Sequence, residues 1–527
     1  MIIDGRSAEA SAPQDYDILI VGAGPVGITL ALELSGQGLR IGLLESGDTD
    51  FDPDTQMLND GIVTGHDAVD LAAIRLRFLG GATNHWGGRC VPMDRIDFER
   101  APLGGLTGWP ISYDEMWPYY ERAHPYFQIG RPEYDPLEIG DVSRDDLMLP
   151  DAEILRTVVI RQSDMQFGPT YEQALADAED IDLWLWTNVT GLDIDGDGQI
   201  RGVTTRTLSG VAREFRARFV VLACGAVENA RQLLAYNARA ATQLGNEGDL
   251  LGRGYMDHPA AGAGFLWLDD PLPPQIYWSL PPDTDGTTIR FLWSLSEDVL
   301  AREGLNNIQF YLIPFDETRD PRIREANQGW SALRGIAKWM LGDPGRNFQF
   351  SEAYCNAITN ADVLAADALG MIDREGATTR LLLKYEVEQR PDRDNRVTLS
   401  DERDALGQFL ANLHWSPSDA DRDSIIRTTT LIGQAVGAAG LGRVELEDHF
   451  DEPYWASNTS WHQMGTTRMS AAPEDGVVDV DGRLWGSENL YLAGGSVMPT
   501  GGRANPTMTM VALSIRLADH LKQRMAA

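Results

Sequence analysis

The sequence predicts an α/β fold, α+β overall, in which one parallel-sheet domain is discontinuous and is assembled from distant segments of the chain. Three observations predict it. A short apolar run at 16–21 leads into the glycine cluster Gly22-Ala23-Gly24-Pro25-Val26-Gly27 and then into a helical pattern. The same strand–glycine–helix order returns near residue 220, and again from 489 to 522. Like elements at the start, the middle and the end fit one interrupted domain better than several separate ones.

Each element has its own signal. Residues 1–14 are polar and read as a flexible leader. Residues 16–21 read as a buried strand, 25–37 as a helix, and 40–44 as a second buried strand closed by Glu45. Residues 72–98 are rich in glycine and aromatics, too much so for a helix or a central strand, and predict a functional loop. Ser112 followed by Glu115 predicts a capping box opening a helix over 112–124. Strands at 187–192 and 202–207 flank the turn Asp195-Gly196-Asp197-Gly198. Residues 219–223 form a buried strand, followed by Gly225 and a helix over 227–234. The middle, 265–455, mixes strand-like stretches with loops, and the charged run 389–404 reads as a solvated turn region. The end holds a strand at 489–493, the break Gly494-Gly495, and a helix at 507–522.

Bulk composition excludes some functions. The chain has 527 residues, 43% of them hydrophobic, enough for a large core and more than one domain. Its formal charge of −35 repels nucleic acid and anionic membranes, so neither is expected as a partner. Cys90, Cys224 and Cys355 form no CxxC pair and no ligand spacing, so no metal is expected. There is no signal-like apolar stretch near the start and no run of membrane-spanning length, which predicts a cytoplasmic protein.

The first glycine cluster predicts a dinucleotide site. Gly22 permits the tight turn, Gly24 lets the backbone approach a pyrophosphate, and Gly27 allows the helix to pack on the sheet. Pro25 opens a helix whose free N–H groups face the phosphates, and Glu45 stands where a carboxylate binds ribose hydroxyls. The later strand–glycine segments, Ala223-Cys224-Gly225 and Gly494-Gly495-Ser496, narrow the dinucleotide to FAD. Flavoproteins of the glutathione-reductase type close the far end of an extended FAD with such a segment.

The chain then resembles the glucose-methanol-choline (GMC) oxidoreductases. The matching stretches are Arg77-Phe78-Leu79-Gly80-Gly81-Ala82-Thr83-Asn84-His85-Trp86-Gly87-Gly88, Gly108-Trp109-Pro110-Ile111-Ser112-Tyr113, 222–229, His462-Gln463-Met464-Gly465-Thr466-Thr467-Arg468-Met469, and 489–507. They follow the family's order along nearly the whole chain. The C-terminal wording is most similar to the pyranose-oxidase-like branch, which holds glycoside 3-oxidases and sugar dehydrogenases. The resemblance implies a discontinuous Rossmann-like FAD domain over 15–125, 185–265 and 455–527. A substrate domain, with a mainly antiparallel sheet and covering helices, would take 126–184 and 266–454.

Oxidising an alcohol removes a hydroxyl proton and a hydride, so the protein must supply a base. The first position of His-x-x-Gly-Thr, His462, resembles the family's base, and Asn505 resembles the residue that holds the substrate hydroxyl. The resemblance further implies cofactor contacts from Ser46, Arg77, Gly81, Thr83, Asn84, His85, Trp86, Gly87, Gly88, Val189, Glu228, Ser496, Pro506 and Thr507, besides Ala223, Cys224 and Gly495. In pyranose 2-oxidases a histidine in a Thr-His-Trp setting bonds the flavin covalently. Here the tripeptide is Asn84-His85-Trp86, which leaves attachment through His85 open. Arg468 and Arg503 flank the proposed site without an assigned role.

The expected activity is oxidation of a secondary hydroxyl, at carbon 2 or 3 of a sugar or glycoside, with oxygen, a quinone or a cytochrome as electron acceptor. Two alternatives stand beside it: oxidation of a sterol, terpenoid or aromatic alcohol, and a non-redox activity of the hydroxynitrile-lyase kind. Trp267, Trp278, Trp293, Trp330 and Trp339 are candidates for the pocket wall of a non-sugar alcohol. Homo-oligomerisation is left open.

Overall fold

The computed structural model describes residues 1–7, 14–66, 70–139, 142–143, 147, 149–272, 277, 283, 285–314, 329–330, 332–334, 336–337, 340, 357, 361–369, 378–451 and 458–526. Its first sheet has eight strands. Their order is Ile2–Asp4, Ile181–Leu185, Ile41–Leu44, Gln14–Val21, Ala212–Leu222, Ile200–Arg206 and Asn188–Ile194, with Leu490–Leu492 also against Ala212–Leu222. The central pairings are parallel. Ile18, Leu19 and Ile20 are fully buried, which accounts for their unbroken apolar run, because a parallel sheet is covered on both faces. The start, the 220 region and the end of the chain thus meet in one sheet, as the fold class requires.

The second sheet is antiparallel throughout. It runs Gly442–Leu446, Pro259–Leu272, Thr378–Val387, Ile308–Pro314, Thr288–Leu295, Leu155–Gln162 and Arg89–Cys90, with Asn458–Thr459 beside Pro259–Leu272. Helix Asp419–Ala438 covers one face, where Phe310, Leu383 and Tyr385 meet Ile425, Ile432 and Val436 in an apolar core. Alternate residues of the same strands, Gln309, Tyr311 and Glu386, bond to one another instead. Because strand side chains alternate, that polar set occupies the opposite face. A third, three-stranded sheet joins Arg396–Arg403, Phe409–Trp415 and Gly61–Gly65.

Several local expectations are realised. The helix Tyr113–Phe127 carries the capping box: Glu115 N donates to Ser112 Oγ at 3.2 Å, and Ser112 N donates to Glu115 Oε2 at 2.8 Å. Strands Asn188–Ile194 and Ile200–Arg206 pair antiparallel around the Asp195–Gly198 turn.

Other expectations are corrected. Within the stretch read as a flexible leader, Ile2–Asp4 is a parallel edge strand on Ile181–Leu185. Arg6 pairs with Asp4 and lies over Trp186, so one ion pair and one cation–π contact pin the strand. The first helix ends at Leu34, three residues early, where Ser35 turns extended and its hydroxyl bonds Asp180 at 2.6 Å. The charged run 389–404 is not simply solvated. Gln389 and Asn395 are buried, and Arg396–Arg403 is a strand. Of the five tryptophans, Trp293 sits in the second core, Trp278 and Trp339 lie outside the described residues, and neither Trp267 nor Trp330 reaches the cleft described next.

Candidate active site

A cleft of about 530 Å³ takes its walls from both large sheets: the glycine loop and Glu45 from the first, Ala260, Lys384 and Glu386 from the second. At one end stands the 22–27 loop. Gly22 has φ +104°, and a side chain there would press on the Ala223 carbonyl. A Cβ at Gly27 would overlap the Gly22 carbonyl oxygen, so this glycine serves helix-on-strand packing. Gly24, the N-cap of the helix Pro25–Leu34, is different, since a Cβ there meets no protein atom within 4 Å. It faces the cleft, as does Gly225. The first-turn N–H groups of a helix have no intrahelical partner and favour an anion.

Glu45 braces this loop. Its carboxylate accepts from Ala23 N and Gly47 N, both at 3.0 Å, and burial raises its pKa. Arg77 donates to Asn59 Oδ1 at 2.7 Å and to Ser46 Oγ at 3.2 Å, and pairs with Glu228 at 3.3 Å. Glu228 also binds Arg231 at 2.6 Å. Burial works against its charge, yet Arg231 and Arg77 outweigh that and hold it well below the usual carboxylate range.

The Gly81–Asn84 turn forms the middle wall. Asn84 Nδ2 donates to Leu79 O at 3.0 Å and Gly81 O at 2.9 Å, so its side chain holds the loop rather than facing the cleft. His85, Trp86, Gly87 and Gly88 do face it.

The far end carries the chemistry. His462 Nε2 lies 3.4 Å from Asn505 Nδ2, and His462 Nδ1 lies 2.8 Å from His258 Nδ1. Asp257 fixes this corner: Oδ1 accepts from His462 N at 2.8 Å and from His258 N at 2.7 Å, and Oδ2 accepts from Thr459 Oγ1 at 2.8 Å. An amide nitrogen only donates, so His462 Nε2 presents its lone pair to Asn505. The proton of neutral His462 then sits on Nδ1 and is donated to His258 Nδ1. His258 in turn carries its proton on Nε2. Burial holds the pKa of His462 well below 6.5, and the charge of Arg89 pushes it the same way. A half-buried, neutral imidazole with a fixed tautomer is a competent base.

The second sheet contributes Arg89, Lys384 and Glu386 to the cleft wall, with Gln309 and Tyr311 buried behind Glu386. Glu386 accepts from Arg89 at 3.0 Å, Gln309 at 2.7 Å and Tyr311 at 3.1 Å. The flanking arginines support the loop behind Asn505: Arg503 pairs with buried Asp94 at 2.7 Å, and Arg468 donates to the Thr107 carbonyl.

The structure gathers Gly22, Gly24, Pro25, Glu45, Ser46, Arg77, Gly81, Thr83, His85, Trp86, Gly87, Gly88, Val189, Ala223, Cys224, Glu228, His462, Gly495, Asn505, Pro506 and Thr507 along this one cleft. Gly27, Asn84 and Ser496 do not line it. Ser496 is buried and accepts from Asn229 Nδ2 at 2.9 Å. Sequence reasoning missed Asp257, His258, Trp461, Lys384 and Glu386. Asp257 and His258 are adjacent in the chain, but nothing local marks them, and His258 meets His462 across 204 residues.

Comparison with known proteins agrees with this geometry. A GMC oxidoreductase family model matches residues 391–514, a span that includes both His462 and Asn505. This C-terminal segment is similar to the GMC oxidoreductases. The chain is an FAD-dependent oxidoreductase acting on CH–OH donors. Relatives of the chain include a 2-methyl-1,2-propanediol dehydrogenase of Mycolicibacterium austroafricanum, 24% identical over 96% of this chain and 95% of the relative. A C-glycoside 3-oxidase of Microbacterium trichothecenolyticum is 27% identical over 92% of this chain and 83% of the relative. A formate oxidase crystal structure has the same fold, with a TM-score of 0.57 at 17% identity, covering 98% of this chain and 100% of that one.

The cleft fits FAD on its own features. Gly24 and Gly225 leave open the space that any side chain would enter. Helix N–H groups stand at one end, and the buried Asn505 Oδ1 has no hydrogen-bond partner among the described residues at the other. Among the described residues no helix is long and apolar enough to cross a membrane.

Proposed function

We propose that this protein oxidises a secondary hydroxyl, at carbon 2 or 3 of a sugar or glycoside, to a ketone, with His462 as the base. The carrying observation is the His462–Asn505 pair at 3.4 Å on the cleft wall, with the imidazole held neutral and its lone pair facing Asn505. When bound, FAD supplies the hydride acceptor at its N5. Asn505 Nδ2 donates to the substrate hydroxyl oxygen while His462 Nε2 takes the hydroxyl proton. His258 is a positioning residue that fixes the tautomer in which Nε2 is free.

The remaining site residues take cofactor roles in this reading. The pyrophosphate would lie at Gly22, Gly24 and Pro25. The adenosine would lie among Glu45, Ser46, Arg77, Val189, Ala223, Cys224 and Glu228. The flavin ring would lie among Gly81, Thr83, His85–Gly88, Gly495, Pro506 and Thr507. The segments 15–125, 185–265 and 455–527 would bind FAD, and 126–184 with 266–454 would choose the substrate.

The sugar assignment draws support from the polar side chains Arg89, Lys384 and Glu386 on the cleft wall, which suit a polyol better than a sterol. It is also in keeping with relatives named C-glycoside 3-oxidase, fructose dehydrogenase large subunit and paromamine 6'-oxidase. The relative named for 2-methyl-1,2-propanediol supports a second reading, a small non-sugar alcohol. Anaerobic mixing with glycosides, free sugars and short diols, followed by flavin absorbance, separates them. Bleaching by glycosides is the expected result, and bleaching by diols alone would overturn the sugar assignment. Any bleaching argues against a non-redox lyase. Admitting oxygen, a quinone or a cytochrome then identifies the acceptor.

A further inference from the structure

We propose that Trp461 is a stacking platform for the substrate: its indole takes the CH-rich face of a saturated, pyranose-like ring while His462, the next residue, meets the hydroxyl. This deepens the sugar reading and rests on it. Three independent features of the structure converge on this residue.

Trp461 is 46% exposed, unusual for so large an apolar side chain, and it lines the cleft beside His462. Its ring centroid lies 5.5 Å from that of His85, tilted by 41°, so the indole borders the cleft wall near the proposed flavin position. No hydrogen bond of the indole N–H occurs among the described residues, which leaves a donor for a ring hydroxyl. An apolar face with one donor at its edge is the complement of a sugar, whose C–H groups and hydroxyls sit on different aspects of the ring.

The backbone is the second feature. Trp461 has φ +62°, a left-handed conformation that a bulky residue adopts only under constraint. Both sides of the kink are tied to one carboxylate. Trp461 N donates to Thr459 Oγ1 at 2.9 Å, and that hydroxyl binds Asp257 Oδ2. His462 N donates to Asp257 Oδ1. The same carboxylate that orients the base therefore holds the tryptophan in its strained conformation. Glycine or asparagine would occupy this conformation at lower cost, so the large ring is retained against the backbone's preference. The third feature is the neighbouring polar wall, which carries Glu386 and Lys384 within the same cleft and suits hydroxyls rather than a flat hydrocarbon.

The test uses the FAD-loaded full-length enzyme and two variants, Trp461→Asn and Trp461→Phe. Asparagine tolerates the left-handed backbone without the ring, while phenylalanine keeps a stacking face. The readouts are kcat/KM for a methyl glycoside and for an acyclic diol, FAD content and melting temperature. Trp461→Asn is expected to lower the glycoside-to-diol ratio of kcat/KM roughly tenfold, mainly through KM, the scale of one aromatic contact. Trp461→Phe should recover most of that ratio. FAD content and melting temperature should be no lower than in the wild type, because the strain is relieved. An unchanged ratio in Trp461→Asn overturns the platform while leaving glycoside oxidation standing. An equal loss in both variants also overturns it, because stacking would not distinguish them. If the wild type turns over no glycoside, the platform falls together with the sugar reading, a result distinct from the first two.

Discussion

Replacing His258 by alanine removes the hydrogen-bond partner that His462 Nδ1 has among the described residues. A buried N–H left unpaired costs about 1–3 kcal/mol. The tautomer with the proton on Nδ1 loses that much relative to the one with it on Nε2, where Asn505 Oδ1 has no partner and can accept. Since 1.4 kcal/mol is a factor of ten, the ratio of the base-competent tautomer to the other falls roughly five- to hundredfold. The rate of flavin bleaching under anaerobic conditions with a glycoside should fall by up to that factor, with FAD content unchanged. His258 is fully buried, so alanine also leaves a cavity, and a second variant separates the effects. In His258→Asn, Oδ1 takes the place of Nδ1 and can still accept the His462 proton, so most of the rate should return. A wild-type rate in His258→Ala, or an equal loss in both variants, would refute the tautomer assignment.

Other predictions follow from the same geometry. Gly24→Val should fold normally but purify without FAD, because its side chain would enter the cleft and meet no protein atom. Gly27→Val should instead lower thermal stability, because its Cβ would strike the Gly22 carbonyl; absorbance at the flavin band and melting curves distinguish the two. Burial puts the pKa of His462 well below 6.5, so the neutral base persists as pH falls, and kcat/KM should stay flat from about pH 8 to pH 6.5. An acid limb centred near 6.5 would mean an exposed imidazole. Arg503→Met leaves buried Asp94 with Arg156 as its remaining ion-pair partner, and should cost roughly 3 kcal/mol in denaturant unfolding.

Local signals were legible in the sequence and distant ones were not. The β–α–β unit, the Ser112 capping box and the hairpin around Asp195–Gly198 each depend on residues within a few positions, and each forms. The interrupted first sheet was legible because its three strand–glycine–helix signals repeat. Ile2–Asp4 was missed because a short edge strand gains its stability from the sheet it joins, not from its own pattern. Gln389 and Asn395 were misread because a charged neighbourhood hides buried polar residues whose partners are remote: Gln389 accepts from Trp415 and Asp257 N, and Asn395 from Ser416. For the site, His462 and Asn505 were legible through their motifs. His258 was not, since its partner is 204 residues away. Trp461 stood next to the base in the sequence, yet its left-handed backbone and exposure belong only to the fold.

The most direct test of His462 as base is single-turnover reduction of the FAD-loaded His462→Ala variant by a glycoside in the absence of oxygen. Flavin bleaching should slow by roughly 10²-fold or more, with FAD retained and the cleft intact. Bleaching at the wild-type rate would contradict the assignment of His462.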